Sequence, residues 1–247
     1  MKRHIRKYYT ELYSGKHGSI PAVSRGRTLG RELGYPREPI ESIPDDLWED
    51  FLPCGNVLPY IRRVPGGRIL NLGCGAGIDS LALMLSGRTE YRMVNLDIVF
   101  PVLEKASNRT RDLFPAFSPG WLCADGEALP FSAACFDGAI LNGVFNLFTD
   151  KRALVAELAR VLKTEAVVAG ADLCRRTALP DYFKTEPDAW AWCMSGALSG
   201  QELDVVFEAG GFRKIEAVSE RMDEFFDRIV FAFEKSGPDK SNPGLNE

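Results

Sequence analysis

Ile69-Leu-Asn-Leu-Gly73-Cys-Gly75-Ala-Gly77 sets three glycines at alternate positions behind a short apolar run. Glycine turns the backbone sharply and lets a ligand press against it without meeting a Cβ. Arg68 to Leu72 reads as a strand and Ile78 to Leu85 as a helix, so the stretch is a strand, a glycine loop and a helix. The same alternation continues toward the C-terminus. Tyr91 to Leu96 precedes Pro101 to Phe114, Phe136 to Leu141 precedes Asp150 to Leu162, and a strand over Ala166 to Ala171 follows. Residues 199 to 210 read as a helix, and Phe212 to Val218 and Ile229 to Phe233 as the last strands. Parallel neighbours need a long crossover, so this rhythm predicts a doubly wound, Rossmann-like α/β fold whose parallel sheet carries helices on both faces.

On the N-terminal side the pattern is different. Ile5, Tyr8, Tyr9 and Leu12 fall at helical spacing among Lys2, Arg3, Arg6 and Lys7, which predicts an amphipathic helix over residues 1 to 13. From Ser19 to Pro53 prolines and glycines leave room only for short helices such as Asp45 to Leu52. Residues 1–65 therefore read as an irregular helical cap and 66–235 as the main domain. Within it, 172–198 interrupts the alternation as an insertion over the substrate site. Residues 236–247, with Gly237, Pro238, Pro243 and Gly244, read as a disordered tail.

The 247 residues suit one elaborated domain, and 45% hydrophobic with 26% charged residues lies at the globular average. No stretch reaches the ~18 uncharged apolar residues of a membrane span. A formal charge of -4 argues against a nucleic-acid partner held by phosphate contacts. Six scattered cysteines without a CxxC pair read as reduced thiols, which points to the cytoplasm. The composition leaves the oligomeric state open and calls for no metal.

In the glycine loop the third glycine comes one residue earlier than in the GxGxxG dinucleotide fingerprint, and Ile78 stands where a nicotinamide enzyme would have glycine. Asp97 closes the second strand a little over twenty residues on. Cys123-Ala-Asp125-Gly-Glu127-Ala-Leu-Pro130-Phe131 then follows, and Phe136-Asp-Gly-Ala-Ile-Leu141 leads to Arg160-Val-Leu-Lys163. In this order the four segments resemble the class I methyltransferases that use S-adenosyl-L-methionine. The resemblance implies that fold and that cofactor. It implies a cofactor wall of Asn71, Gly73, Cys74, Gly75, Gly77, Asp97, Ile98, Asp125, Gly126, Glu127 and Asn142, with Asp97 on the ribose hydroxyls and Asp125 on the adenine amino group. Asn71 stands where the family usually has aspartate, and Thr164-Glu165 replaces its usual Pro-Gly-Gly.

A narrower resemblance concerns the methyl acceptor. Leu141-Asn-Gly-Val-Phe-Asn-Leu-Phe-Thr-Asp-Lys151, Trp190-Ala-Trp-Cys193-Met-Ser-Gly-Ala-Leu198, Leu33-Gly-Tyr35 and Cys54-Gly-Asn56 are similar to segments of the arsenite methyltransferases. The likeness implies thiolate positions at Cys54 and Cys193 and a third at Gly143, which has no sulfur. The family's early cysteine pair has no counterpart. Cys174, placed just past the strand ending at Ala171, is a candidate substitute, although buried free cysteine is commonly packing. Cys74, Cys123 and Cys135 read as structural.

Methyl transfer is an in-line displacement that needs alignment, a dry cleft and, for hydroxyl or amine acceptors, a base. The only histidines, His4 and His17, lie in the cap. The reading is a methyltransferase for a small-molecule acceptor, arsenite-methyltransferase-like but with an incomplete thiolate set. The alternatives are a non-catalytic protein that binds S-adenosylmethionine or a metalloid, and a methyltransferase for an unrelated small molecule. Trp190 and Trp192 either line the pocket or anchor the insertion. The Tyr8-Tyr9 helix is positioned to serve as a lid.

Overall fold

The computed structural model describes residues 1–16, 26–87 and 90–237. His17 and all but the first two residues of the expected disordered tail, 236–247, lie outside the described residues. One sheet organises the molecule: β1 Gly67–Leu72, β2 Tyr91–Asp97, β3 Gly120–Cys123, β4 Phe136–Asn142, β5 Leu162–Arg175, β6 Phe212–Arg221 and β7 Phe226–Lys235. They lie in the order β3-β2-β1-β4-β5-β7-β6. The first five run parallel, as the alternation predicted. The last pair departs from it: β7 is antiparallel to both β5 and β6. Only residues 222–225 join β6 to β7, far too few for a parallel crossover.

Helices cover both faces, so the central strands read as near-continuous apolar runs. On one face α6 (Ile78–Leu85) and α7 (Phe100–Leu113) pack with the cap elements α2 (Gly26–Glu32), α3 (Arg37–Ser42), α4 (Asp45–Trp48) and α5 (Leu58–Ile61). Trp48, Leu47 and Ile61 join Ile78, Leu81 and Val102 in a single core there. Trp48 seats against Gly30, where a Cβ would come within 2.6 Å of the indole. On the other face α8 (Lys151–Val161) and α11 (Gly200–Ala209) bury Leu154, Leu158 and Phe207 against Phe231 and Phe233. Ser199 and Glu202 form a reciprocal capping box at the start of α11.

β5 extends well beyond the expected Ala166–Ala171. Its pairing with β7 runs from Val167 to Arg175, so the insertion starts later than residue 172. The strand also bulges early, where its pairing with β4 jumps from Leu162 to Val167. Glu165 sits in that bulge with φ +63°, a left-handed conformation that favours glycine. The sequence departs from the family's usual Pro-Gly-Gly at this point.

Candidate active site

The strand order reverses between β1 and β4, and ligand crevices form at such points beyond the carboxyl ends of the strands. A cavity lies there, walled by Gly73, Cys74, Gly75, Asp97, Ile98, Asp125, Gly126, Glu127 and Asn142. All three loop glycines have positive φ, but their surroundings differ. A Cβ on Gly73 would strike Val144 at 2.3 Å, and one on Gly77 would strike the Trp121 indole at 2.5 Å. A Cβ on Gly75 would stand 3.2 Å from the hydroxyl of Tyr13, which also lines the cavity. Gly75 thus keeps the ligand face clear, whereas Gly77 serves packing and stands outside the wall.

Asp97 anchors this loop. One carboxylate oxygen accepts the Gly75 N–H at 2.9 Å and the other the Val99 N–H at 3.0 Å. Burial pushes its carboxyl up, and the backbone donors hold it down. Asp125, just beyond β3, accepts the Glu127 N–H at 3.0 Å. Lys2, from α1 (Lys2–Tyr13), bridges Asp125 and Glu127 at 2.5 Å each. Tyr9 and Tyr13 of the same helix also line the cavity.

Asn71 does not line it. The structure directs its amide inward to Ser80 Oγ and Asn95 Oδ1, at 3.1 and 3.2 Å, because Asn71 is enclosed between β2 and α6. Asn142 does line it and ties four segments together. Its Oδ1 accepts the Cys54 N–H at 2.9 Å, while its Nδ2 donates to the Gly55 carbonyl at 2.9 Å, Asp79 at 3.1 Å and the Tyr35 hydroxyl at 3.2 Å. Tyr35 donates in turn to Asp79 at 2.6 Å. Burial raises the Asp79 carboxyl to about 6 against these two donors. Sequence reading missed Asp79 and Tyr35. The available signal was an acid in the first turn after the glycine loop, a position buried by its own helix start.

A second cavity adjoins the first, and Tyr9, Leu52 and Gly143 belong to both walls. Cys54, Cys193, Leu173, Trp192, Met194 and Arg228 are among its other lining residues. The two candidate thiols therefore do converge. Cys193 donates to the Gly143 carbonyl at 3.5 Å, and Cys54 lies 4.0 Å from Asp172 Oδ1. Burial and the Asp172 charge push both thiols well above their ordinary range. Asp172 is 1% exposed and its carboxyl is raised to about 6 by burial, although Asn146 and Leu173 donate to it. Lys151 supplies a charge nearby, its own ammonium pushed down by burial.

Cys174 is a correction. It is an interior residue of β5, paired against Asp227 and buried with Leu203 and Ile229, and it lines neither cavity. The longer β5 carries it past the crevice into the sheet. Cys123 ends β3 exposed, and Cys135 directly precedes β4. Trp190 anchors the 3-10 turn Phe145–Leu147 through the Leu147 carbonyl at 3.0 Å, while Trp192 lines the second cavity and donates to the Tyr8 hydroxyl. Tyr9 donates to the Ala191 carbonyl at 2.8 Å, fastening α1 to α10 (Pro187–Ala191). His4 faces Asp188 and lines neither cavity. Among the described residues no group of three or more His, Cys, Asp or Glu is placed to hold a metal, and no helix is long and apolar enough to cross a membrane.

The family model described as "Methyltransferase domain" matches residues 64–211, more than half of the chain. An arsenite methyltransferase of Halobacterium salinarum is 26% identical over 74% of this chain and 46% of its own length. An O-methyltransferase of Pyrenophora dematioidea is 28% identical over 76% of this chain and 70% of its own. The chain spans about half the length of the archaeal and mouse arsenite methyltransferases it matches. The crystal structure of an arsenic(III) S-adenosylmethionine methyltransferase from Chlamydomonas reinhardtii shares the fold, with a TM-score of 0.66 at 22% identity over 82% of this chain and 73% of that one.

Proposed function

The chain belongs to the methyltransferase-domain family, class I by its sheet and its glycine loop, and on that premise we propose that it transfers the methyl group of S-adenosyl-L-methionine to a small-molecule acceptor in the second cavity. One observation carries this reading: the two cavities meet at Tyr9, Leu52 and Gly143, so a donor in the first and an acceptor in the second share a dividing wall. Bound there, the cofactor supplies an electrophilic methyl on a positively charged sulfur.

The chain's own residues supply alignment and dryness. Gly75 leaves room for the cofactor against the backbone, Asp97 offers carboxylate oxygens to the ribose hydroxyls, and Asp125 accepts from the adenine amino group. The residues present fit the cofactor: the carboxylates of Asp97 and Asp125 line the cavity together with Gly73, Gly75 and Gly126, which carry no Cβ. Tyr9, Tyr13 and Trp192 close the outer side, the first through its bond to the Ala191 carbonyl, so α1 and α10 act together as a lid. Six free cysteines fit a reducing compartment, the cytoplasm.

A thiophilic acceptor such as arsenite is the second reading, favoured by the convergence of Cys54 and Cys193 beside Gly143. Turnover separates these readings. The protein is incubated with S-adenosylmethionine and either arsenite with a thiol reductant or a panel of phenols and carboxylic acids, and S-adenosylhomocysteine is quantified. Product with an organic acceptor alone supports the first reading, and product with arsenite the second. Binding without turnover across all of them supports a non-catalytic binding protein.

A further inference from the structure

Among the described residues, Arg228 is the one charged residue in the wall of the second cavity. It lies near the start of β7, opposite Leu173 of β5 and Glu220 of β6. Around it the wall is apolar, with Leu29, Leu173, Trp192, Met194 and Met222. Other arginines of this region carry carboxylates: Arg175 pairs with Glu202 at 2.6 Å, Arg176 with Asp227 at 2.7 Å and Arg213 with Glu234 at 2.7 Å. The Arg228 side chain makes no hydrogen bond or ion pair with the described residues, even though Glu220 stands across the ladder from it.

The buried carboxylate behind the thiols does not need this guanidinium. Asp172 accepts from the Asn146 N–H at 3.0 Å, the Asn146 amide at 2.8 Å and the Leu173 N–H at 2.8 Å, and Lys151 is its nearby cation. Arg228 lines the same cavity as Cys54, and its charge opposes the rise that burial and Asp172 impose on that thiol. A planar guanidinium with five donors, half enclosed by apolar side chains and without a partner, is a binding group for a carboxylate or a phosphate. An apolar pocket with one such polar anchor fixes the orientation of what it holds.

Resting on the methyltransferase reading, we propose that the acceptor is an amphiphilic organic anion. Its carboxylate or phosphate docks on Arg228, and its apolar body lies between Leu173, Trp192 and Met222 with the accepting atom toward Gly143. Arg228 is then a specificity-determining residue rather than part of the cofactor site. The chemistry excludes neutral arsenous acid as the preferred occupant, because a soft uncharged centre gains nothing from a guanidinium.

The test uses three probes of matched shape on the full chain with S-adenosylhomocysteine: 4-phenylbutyrate, its neutral amide 4-phenylbutyramide, and 3-phenylpropyl phosphate. Calorimetry should show an anion binding at least tenfold more tightly than the amide, with the better of the two anions identifying the head group. Arg228→Met should abolish the preference, and Arg228→Lys should keep part of it. S-adenosylhomocysteine affinity should be the same in all three proteins. Equal affinity for amide and anions, or no binding of any probe by a protein that binds S-adenosylhomocysteine, overturns the proposal and leaves the cofactor reading standing. Loss of S-adenosylhomocysteine binding by the wild-type chain instead overturns the cofactor reading itself.

Discussion

The Cys193 thiol lies 3.5 Å from the carbonyl oxygen of Gly143, and both residues are left-handed, with φ +63° and +67°. A non-glycine residue in that conformation is a strained backbone held by its surroundings, and such residues cluster at functional sites. Both residues line the second cavity, Gly143 in the wall that it shares with the first.

Position 143 tolerates no side chain at rest. A Cβ there would stand 2.7 Å from the Leu52 carbonyl oxygen and 3.7 Å from Cys54 Sγ. A cysteine would bring a third sulfur close to Cys54, but only by displacing Leu52. Gly143→Cys and Gly143→Ala should both lose about 1 to 3 kcal/mol of stability, since the cost lies in the Cβ and the backbone rather than the sulfur. Denaturant unfolding of the two variants beside wild type checks this. An unchanged midpoint for Gly143→Ala would show that the loop relaxes freely.

The bulge in β5 gives a prediction of opposite sign. Glu165 is exposed and left-handed, so Glu165→Gly should stabilise by roughly 0.5 to 1 kcal/mol by removing the Cβ conflict. Thermal unfolding should show a melting temperature a few degrees higher. A lower one would mean that the glutamate makes compensating interactions.

Asp97→Ala removes the acceptor of two backbone donors and the expected partner of the ribose hydroxyls. The fold should persist while S-adenosylmethionine affinity falls at least tenfold, in line with about 1.5 to 3 kcal/mol for a charge-assisted hydrogen bond. Calorimetry on the two proteins gives the comparison. Equal affinities would place the cofactor elsewhere.

Much of this could be read from the sequence, because the glycine loop, Asp97 and the strand and helix alternation are local signals. Ile78–Leu85 came out to the residue, since a glycine and a serine bound it. What failed was non-local. Cys174 looked like a crevice residue only while β5 ended at Ala171, and it is the partner strand β7, beginning at Phe226, that extends β5 to Arg175. Asn71 looked like a cofactor ligand because the family has an acid there, yet its polar partners Ser80 and Asn95 are fixed by packing between strand and helix. The Asn142, Asp79 and Tyr35 node joins three segments that no spacing rule relates.

Two buried carboxyls set a pH dependence. Asp79 and Asp172 are each raised from 3.8 to about 6 by burial. In the folded state they hold protons that the unfolded chain releases near pH 4. Their contribution to stability is therefore fully present below pH 4 and lost as pH rises through about 6, on the order of 2 to 3 kcal/mol for each. Unfolding free energies of wild type and Asp172→Asn at several pH values between 4.5 and 7.5 should diverge in slope, with the variant flatter. Parallel curves would mean that Asp172 is ionised throughout.

The central claim is that donor and acceptor cavities face each other across Gly143. A crystal structure of the protein with S-adenosylmethionine bound tests it most directly. The expected complex has the adenine amino group on Asp125, the ribose hydroxyls on Asp97, and the sulfonium methyl directed past Tyr9, Leu52 and Gly143 toward the cavity that holds Cys54 and Arg228. A cofactor bound with its methyl turned away from that wall, or seated outside the cavity between Gly75 and Asp97, would contradict it.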